Sequence, residues 1–370
     1  MKLYERHIGR ELVFAILLVL LALLALYAFF DTIESLKDVG RGQFGTRHAF
    51  LYVGLRLPGR IYELLPIAVL IGALYALSDL SRHSELAVLR ASGLSARALL
   101  VLLFKIAGVF ALFTLLLGEI LLPPAERTAQ EMRAHAIHSV VAQEFISGLW
   151  VKDGRSFVNI RSATPDSRLS GLRIYQFDAE NHLQYVMDAE QGEFVRTGQW
   201  RLFNVARTSL PEIPGSETES GGAERREARV ERQTEFLWES ALSPDLISVV
   251  MVSPERMSLV SLVLYLRHLS SNQQKTERYA IAFWKKILYP AAALVMAALA
   301  LPFGVTHGRA GGVSLQIFAG VMIGVLFHML SGLFSSLGIL RAWPPVLAAA
   351  APSLLFLLAA FALLWRIERR

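Results

Sequence analysis

The sequence predicts a membrane protein with six transmembrane helices and one all-β domain, of sandwich or jelly-roll type, outside the membrane. Of its 370 residues, 54% are hydrophobic and 18% are charged, which is too apolar for an ordinary soluble protein. Apolar stretches long enough to span a bilayer lie towards both ends of the chain, and the middle carries short β-type runs separated by turn residues. The predicted order is three spans, the β-domain and three further spans.

The N-terminal part contains three predicted spans, at residues 12–30, 61–78 and 98–122. The first has 19 uncharged residues, close to the roughly 20 that a helix needs to cross the hydrocarbon core. It is too long for a signal-peptide core and lacks a small-residue cleavage site, so we expect it to remain as an anchor. Pro123 and Pro124 are expected to end the third span, because proline has no N–H to donate.

Three more spans are predicted at residues 287–303, 313–340 and 342–365, joined by tight turns. If the spans alternate in direction, many Lys and Arg residues near their ends fall on one side, which the positive-inside rule assigns to the cytoplasm. These residues are Lys2, Arg6, Arg10, Arg82, Arg90, Arg97, Arg309, Arg366, Arg369 and Arg370. Both termini are therefore expected in the cytoplasm, and the long middle segment outside.

Between residues 149 and 242 the chain shows short β-type runs, such as those at 157–160, 172–177, 200–205 and 230–236. Turn residues separate them, at Asp153-Gly154, Ser170-Gly171, Asn181 and Gly198. Residues 211–226 have the composition of a flexible loop, and apolar residues between 259 and 269 repeat at helical spacing, which predicts an amphipathic connector helix. The predicted division is a first membrane part at 1–123, a β-domain with its linkers at 124–255, and the connector with the second membrane part at 256–370.

Several kinds of chemistry find no support in the sequence. The chain has no cysteine, which excludes disulfides and thiolate ligands, and its nine histidines show no metal-ligand spacing beyond the weak pair His135 and His138. No Gly-x-x-x-x-Gly-Lys-Ser/Thr motif is present, so any ATP hydrolysis belongs to another chain. The net charge of +6 comes from scattered or membrane-flanking residues, which argues against nucleic-acid binding. We predict no catalytic residue, metal or cofactor in this chain.

The loop between the second and third spans is the strongest candidate for a docking element. Residues 84–93 predict a short helix with Ser84 as its N-cap and Gly93 as its end, and Glu85 lies in the first turn. Leu86 and Leu89 would enter a groove of a partner, while Glu85 meets a partner cation. The alternative is a surface helix with no partner, because the helix dipole alone favours a carboxylate at that position.

These features together resemble the LptF/LptG permeases of lipopolysaccharide export, and the LptG branch more closely than the LptF branch. The resemblance rests on Ser-Glu-Leu followed by Ala-Ser-Gly at 84–93, Gly-Leu-Trp-Val-Lys-Asp-Gly at 148–154, Trp-Lys-Lys at 284–286, and the order of spans and β-domain. It covers essentially the whole chain. It implies a Gram-negative inner-membrane location and a periplasmic jelly-roll.

The resemblance also implies partners. They are a second, LptF-like permease, an LptB-like ATPase dimer that holds ATP and Mg, an LptC-like membrane-anchored protein and a periplasmic bridge. The residues that would couple the permease to the ATPase are Ser84, Glu85, Leu86, Leu89, Arg90 and Gly93. Apolar residues of the first and fifth spans would line a cavity for the acyl chains, and closure of the ATPase would move the docking helix and push the lipid into the β-domain.

Basic residues on the outer side are implied to hold the phosphates of the lipid, at Lys37, Arg41, Arg60 and Arg133. The alternative is that each of these cations is merely a solvated loop residue. Where LptG members commonly place a lysine near the end of the first span, this chain has Asp31. His328 lies inside the fifth span, where an ionisable group normally faces the bundle interior or a partner.

Two other functions fit parts of the pattern. A membrane-anchored scaffold or sensor would use the β-domain to bind a partner but would need no docking helix for an ATPase. A lipoprotein-release permease is also driven by an ATPase, but normally has fewer spans and a differently placed outer domain. Copurification with an ATPase separates transport from the scaffold or sensor function.

Overall fold

The computed structural model describes residues 3–93, 95–137, 149–163, 168–196, 198–210, 229–242, 244, 253–272, 274–306 and 313–368. Within these ranges the helices are α1 (Leu3–Leu36), α2 (Thr46–Arg82), α3 (Glu85–Ala91), α4 (Ala96–Leu116), α5 (Leu122–Ile137), α6 (Leu259–Ser271), α7 (Glu277–Leu288), α8 (Ala291–Thr306), α9 (Val313–Leu340) and α10 (Pro345–Glu368). The strands are β1 (Leu149–Asp153), β2 (Ser156–Ala163), β3 (Arg168–Phe177), β4 (Leu183–Arg196), β5 (Gln199–Ser209) and β6 (Arg229–Glu239). The predicted flexible loop at 211–226 and the turn residues 307–312 lie outside the described residues.

Among the described residues, five helices are long and apolar enough to cross a membrane, and α7 with α8 supplies a sixth span if the pair counts as one. The two helices of that pair are bent by 54° at their junction. Pro290 lies between them, and its ring and missing N–H prevent a continuous helix. The six predicted spans are thus present as five long helices and one broken pair.

The third predicted span does not end at the two prolines, and that prediction was wrong. A π-helical turn, Leu117–Leu121, follows α4, and α5 then continues to Ile137. Pro123 and Pro124 closely follow this turn, where the change from π-helical to α-helical hydrogen bonding accommodates residues that have no N–H to donate. The predicted domain boundary at residue 123 therefore lies inside a helix.

Helix α2 forms the centre of the membrane part. In its most apolar window 72% of the residues are buried, against 22% in the corresponding windows of α1 and α9. Glycines let both neighbours approach it closely: a Cβ on Gly72 of α2 would lie 2.5 Å from Cα of Ile16, and one on Gly320 of α9 would lie 2.8 Å from Leu74 Cδ1. The outer faces of α1 and α9 remain apolar and exposed.

The six strands form one antiparallel sheet in the order β1-β2-β3-β4-β5-β6. The four predicted β runs fall in β2, β3, β5 and β6, whereas β1 and β4 were not predicted as separate strands. One face of the sheet buries an apolar core around Trp200, Ile160 and Ile174, and the indole Nε1 of Trp200 donates to the Leu242 carbonyl at 2.8 Å. The all-β domain is confirmed. Its described strands follow one another in a single meander, without the crossover between sheets that a closed jelly-roll has.

A crease runs across the middle of this sheet. In a regular strand the residues on one face are two apart, but the buried pairs Leu169 and Leu172 on β3, and Leu202 and Val205 on β5, are three apart. Gly171 (φ +65°) and Asn204 (φ +53°) lie between the members of these pairs in left-handed conformations. The turn predicted at Ser170-Gly171 was therefore wrong, because the residues bend β3 without ending it.

The predicted connector helix is confirmed as α6. Its first backbone amide, at Leu259, donates to both carboxylate oxygens of Glu119 at 3.0 and 3.1 Å. Glu119 lies in the π-helical turn and also pairs with Lys286 of α7 at 3.6 Å. Arg256, just before α6, pairs with Glu126 of α5. The connector is thus attached to the third span, and Glu119 also joins that span to the broken span.

Candidate functional site

The predicted docking helix is present as α3, which has seven residues. Ser84 occupies the N-cap position, but its φ of +62° is left-handed and its hydroxyl caps no backbone amide, so the predicted side-chain cap was wrong. The predicted end is confirmed: Gly93 has φ +100°, and its amide donates to the Arg90 carbonyl at 3.0 Å. A backbone that leaves the helix at this point suits glycine, which has no Cβ to clash.

The two leucines of α3 face the chain's own core. Leu86 is 3% exposed and belongs to the main core of the membrane part, and Leu89 packs against the same core. The prediction that Leu86 enters a partner's groove was therefore wrong: its burial fixes α3 against the bundle. Val88 is 66% exposed, and Arg90 is also exposed, so these residues and Glu85 form the free surface of the helix.

Glu85 has a partner within the chain that the sequence did not reveal. Its Oε2 lies 3.1 Å from Nε2 of His7, near the start of α1. The two side chains are 47% and 57% exposed, respectively. No sequence signal could pair residues 78 positions apart, because the contact exists only when α1 and α3 meet at the same end of the bundle.

The four predicted phosphate-binding cations lie in different surroundings. Lys37 is exposed and has no ion pair among the described residues. Arg41 and Arg133 both pair with Asp38 at 2.8 Å, so one carboxylate brings these two cations together. Arg60 lies apart from them, half-buried in the bundle.

Arg60 is paired with Asp31 of α1. The two carboxylate oxygens of Asp31 accept from Nε and Nη2 of Arg60 at 2.8 and 2.6 Å, and Glu63 accepts from Nη1 at 3.1 Å. Asp31 is 6% exposed. The aspartate at a position where the resemblance implies a lysine therefore neutralises an arginine of α2, and Arg60 is already held on both edges of its guanidinium.

Next to Arg60 is a cavity of about 210 Å³ lined by elements from both membrane parts. Its floor includes Tyr62 and Tyr289, whose rings stack with centroids 4.8 Å apart, and the Tyr289 hydroxyl donates to the Glu63 carbonyl at 2.7 Å. The charged residues of the lining are Arg56, Arg60, Arg256, Lys285, Lys286, Glu63, Glu126 and Glu255. His328 also lines it, so the histidine of the fifth span faces a polar cavity, as expected of an ionisable group in a span.

Most of the residues around this cavity were not assigned a role from the sequence. The sequence features that could have indicated this site are charged residues in or beside apolar stretches. They are Glu119 in the third span and Lys285 and Lys286 before the break in the fourth. Such charges indicate a paired or hydrated interior. Among the described residues, no three His, Asp or Glu side chains are grouped as metal ligands.

Comparison with known proteins agrees with the architecture. A family model described as "Lipopolysaccharide export system permease LptF/LptG" matches residues 6–366. The lipopolysaccharide export system permease protein LptG of Escherichia coli (strain K12) is 31% identical over 366 residues, covering 98% of each chain. The protein with the same name from Haemophilus influenzae is 29% identical over 367 residues, covering 99% of this chain and 98% of its own length. From its membrane helices, its antiparallel sheet and this match over nearly its whole length, the chain belongs to the LptF/LptG family of lipopolysaccharide export permeases.

Proposed function

We propose that this multi-pass inner-membrane protein moves lipopolysaccharide out of the membrane as one half of a permease, and that a separate ATPase drives it through α3. The partners would be an LptF-like permease, an LptB-like ATPase dimer that holds ATP and Mg, and an LptC-like protein that leads to a periplasmic bridge. In this arrangement both termini and α3 face the cytoplasm, and the sheet faces the periplasm.

The observation that carries the proposal is the way α3 is held. Burial of Leu86 and Leu89 fixes the helix to the core that α2, α4 and α8 share, while Glu85, Val88 and Arg90 remain outside. A short helix anchored on one side and exposed on the other transmits a push from a docked partner directly to the spans. A sensor or scaffold would need no such element.

A route for the lipid is supported by the exposed faces of α1 and α9. Both helices pack against α2. Both also expose large apolar side chains, such as Phe14 and Leu21 on α1 and Phe318 and Met322 on α9. Acyl chains are compatible with such faces. Lys37 and Arg41 follow the end of α1, and Asp38 joins Arg41 to Arg133 near the end of α5, the helix that precedes β1 in the chain; a phosphorylated headgroup would emerge at these cations.

Two matched variants test the docking role of α3. Val88→Ala removes an exposed side chain, so the free energy of unfolding should change by less than about 0.5 kcal/mol. Leu86→Ala creates a cavity and should cost about 2–5 kcal/mol. We expect Val88→Ala, together with Glu85→Gln, to reduce copurification of the ATPase in detergent, with the amount of permease unchanged.

Lipid release supplies the second measurement. Purified complexes in liposomes that contain lipopolysaccharide would be supplied with ATP, and mass spectrometry would identify the bound chains and lipid. Release that stays normal in the Val88→Ala, Glu85→Gln variant would contradict the proposal. Absence of any copurified ATPase from the unaltered protein would favour the scaffold or sensor.

A further inference from the structure

We propose that His7 is a positioning residue for Glu85 and links the ATPase-docking helix directly to the first span. This inference deepens the proposed function and depends on it, because it assigns Glu85 to the contact with the ATPase. It adds a residue outside the docking loop, contributed by a different helix.

The local structure explains why Glu85 needs a positioning partner. Helix α3 has fewer than two turns, its N-cap Ser84 is left-handed, and no side chain caps its first amides. A helix this short is not stable by itself, and the two buried leucines fix only its inner face. Glu85 lies on the exposed face, where a glutamate side chain has several rotamers. The hydrogen bond to His7 selects one of them.

The contact leaves Glu85 able to bind a second cation. His7 occupies Oε2, and no contact to Oε1 is present among the described residues. A carboxylate can accept about four hydrogen bonds, so an arginine or lysine of a docked partner can reach Oε1 while His7 keeps Oε2. We therefore expect His7 and the partner cation to share the carboxylate.

The same contact provides a path from the docking surface to α1. His7 precedes Ile8 and lies five positions before Leu12, and both apolar side chains are fully buried in the main core. A displacement of α3 thus reaches α1 through a polar contact, in addition to the packing of Leu86 against the core. Because α1 is among the least buried of the spans, it can respond without disrupting the centre of the bundle.

The test uses the complete complex in liposomes and measures lipopolysaccharide released per ATP hydrolysed. His7→Ala should lower this ratio about threefold, the size expected for an exposed polar contact to a carboxylate. His7→Gln keeps an N–H donor and should restore most of the ratio. His83→Ala is the matched control, because His83 is 62% exposed in the neighbouring loop but pairs with Asp79 at 3.5 Å and should leave the ratio unchanged.

A double-mutant comparison separates positioning from a merely structural effect. In a Glu85→Gln background, His7→Ala should cause no further loss in lipid released per ATP. An independent loss in that background, or an unchanged ratio for His7→Ala alone, would overturn the role of His7 while the proposed function stands. If Glu85→Gln itself changes neither ATPase binding nor lipid release, the proposed function fails as well.

Discussion

The ion pair between Asp31 and Arg60 changes what the outer cations of this chain can do. Arg60 donates to two carboxylates, whereas Lys37 keeps a free ammonium within the described part of the chain. Arg41 pairs with Asp38, whose carboxylate also accepts from Arg133. Among the predicted phosphate-binding residues, the exposed Lys37 and Arg41 are therefore better suited to an incoming anion than Arg60.

Removing the charge of Asp31 should destabilise the membrane part. In Asp31→Asn the guanidinium of Arg60 loses its bidentate partner, and we expect the free energy of unfolding to fall by about 2 kcal/mol. Unfolding in mixed micelles with increasing SDS measures this. Glu34→Gln is the control, because Glu34 is exposed one turn further along the same helix. Equal stability of the two variants would show that the Asp31 pair contributes nothing.

The stability of the turn between β3 and β4 should depend on pH because of Asp178. Its carboxylate accepts from the amide of His182 at 2.7 Å and from that of Glu180 at 3.0 Å, and these bonds hold the pKa of Asp178 below its usual value. A carboxyl whose pKa is lower in the folded state stabilises the fold above its ordinary pKa, and this contribution is lost as the pH falls through the lowered value.

The consequence is measurable by amide hydrogen exchange in the intact protein. We expect the amides of Glu180 and His182 to lose protection as the pH falls, after correction for intrinsic exchange rates. Asp178→Asn should remove most of this dependence, and Glu180→Gln, in the same turn, should preserve it. Protection in the Asp178→Asn variant that still follows pH as in the unaltered chain would contradict the assignment.

At the level of elements, the positions of the apolar spans could be predicted from the sequence. The breaks and continuations of their helices could be predicted only in part. Length and hydropathy located all six spans, because a helix that crosses the hydrocarbon core needs about 20 consecutive, mostly apolar residues. The continuation of the third span past Pro123 was not predictable. A π-helical turn lies just before the two prolines, and no residue pattern in the sequence marks it.

The crease in the sheet leads to a matched pair of glycine variants. Gly171 and Gly154 have φ of +65° and +59°, so replacing either by alanine adds a similar backbone strain of about 1–2 kcal/mol. A Cβ on Gly171 would lie 2.9 Å from Cβ of Arg161, whereas one on Gly154 would have nothing within 4 Å. Gly171→Ala should therefore destabilise the sheet more than Gly154→Ala.

Thermal unfolding of the two variants in detergent, followed by tryptophan fluorescence, measures the difference. We expect the lower transition temperature for Gly171→Ala, with Asn159 and Arg161 losing amide protection. A larger loss for Gly154→Ala would indicate that the crease tolerates a side chain. The position of the crease was not visible in the sequence, because the glycine within β3 read as a turn between two strands.

For the whole molecule, the position of the docking loop was predictable and its internal contacts were not. Residues 84–93 were recognised from their sequence, but which leucines face inward depends on where α3 meets the bundle. The pairings of Glu85 with His7 and of Asp31 with Arg60 join residues far apart in the chain. Local patterns contain no information about such pairs.

The absence of cysteine makes the proposed orientation directly testable. Ser84 and Ala179 are both exposed, the first beside α3 and the second in the β3–β4 turn. In intact spheroplasts, a membrane-impermeant maleimide should label Ala179→Cys, and it should label Ser84→Cys only after lysis. Labelling of Ser84→Cys from outside would place the docking helix in the periplasm and end the proposed coupling to an ATPase.

The glycine contacts along α2 have a mechanical consequence for the lipid-facing helices. At Gly72 the backbone of α2 approaches the backbone of α1 at Ile16, and at Gly320 the side chains of Leu74 and Ile71 pack against the backbone of α9. A side chain introduced at Gly72 or Gly320 would therefore push α1 or α9 away from α2 and loosen the lipid-facing side of the bundle.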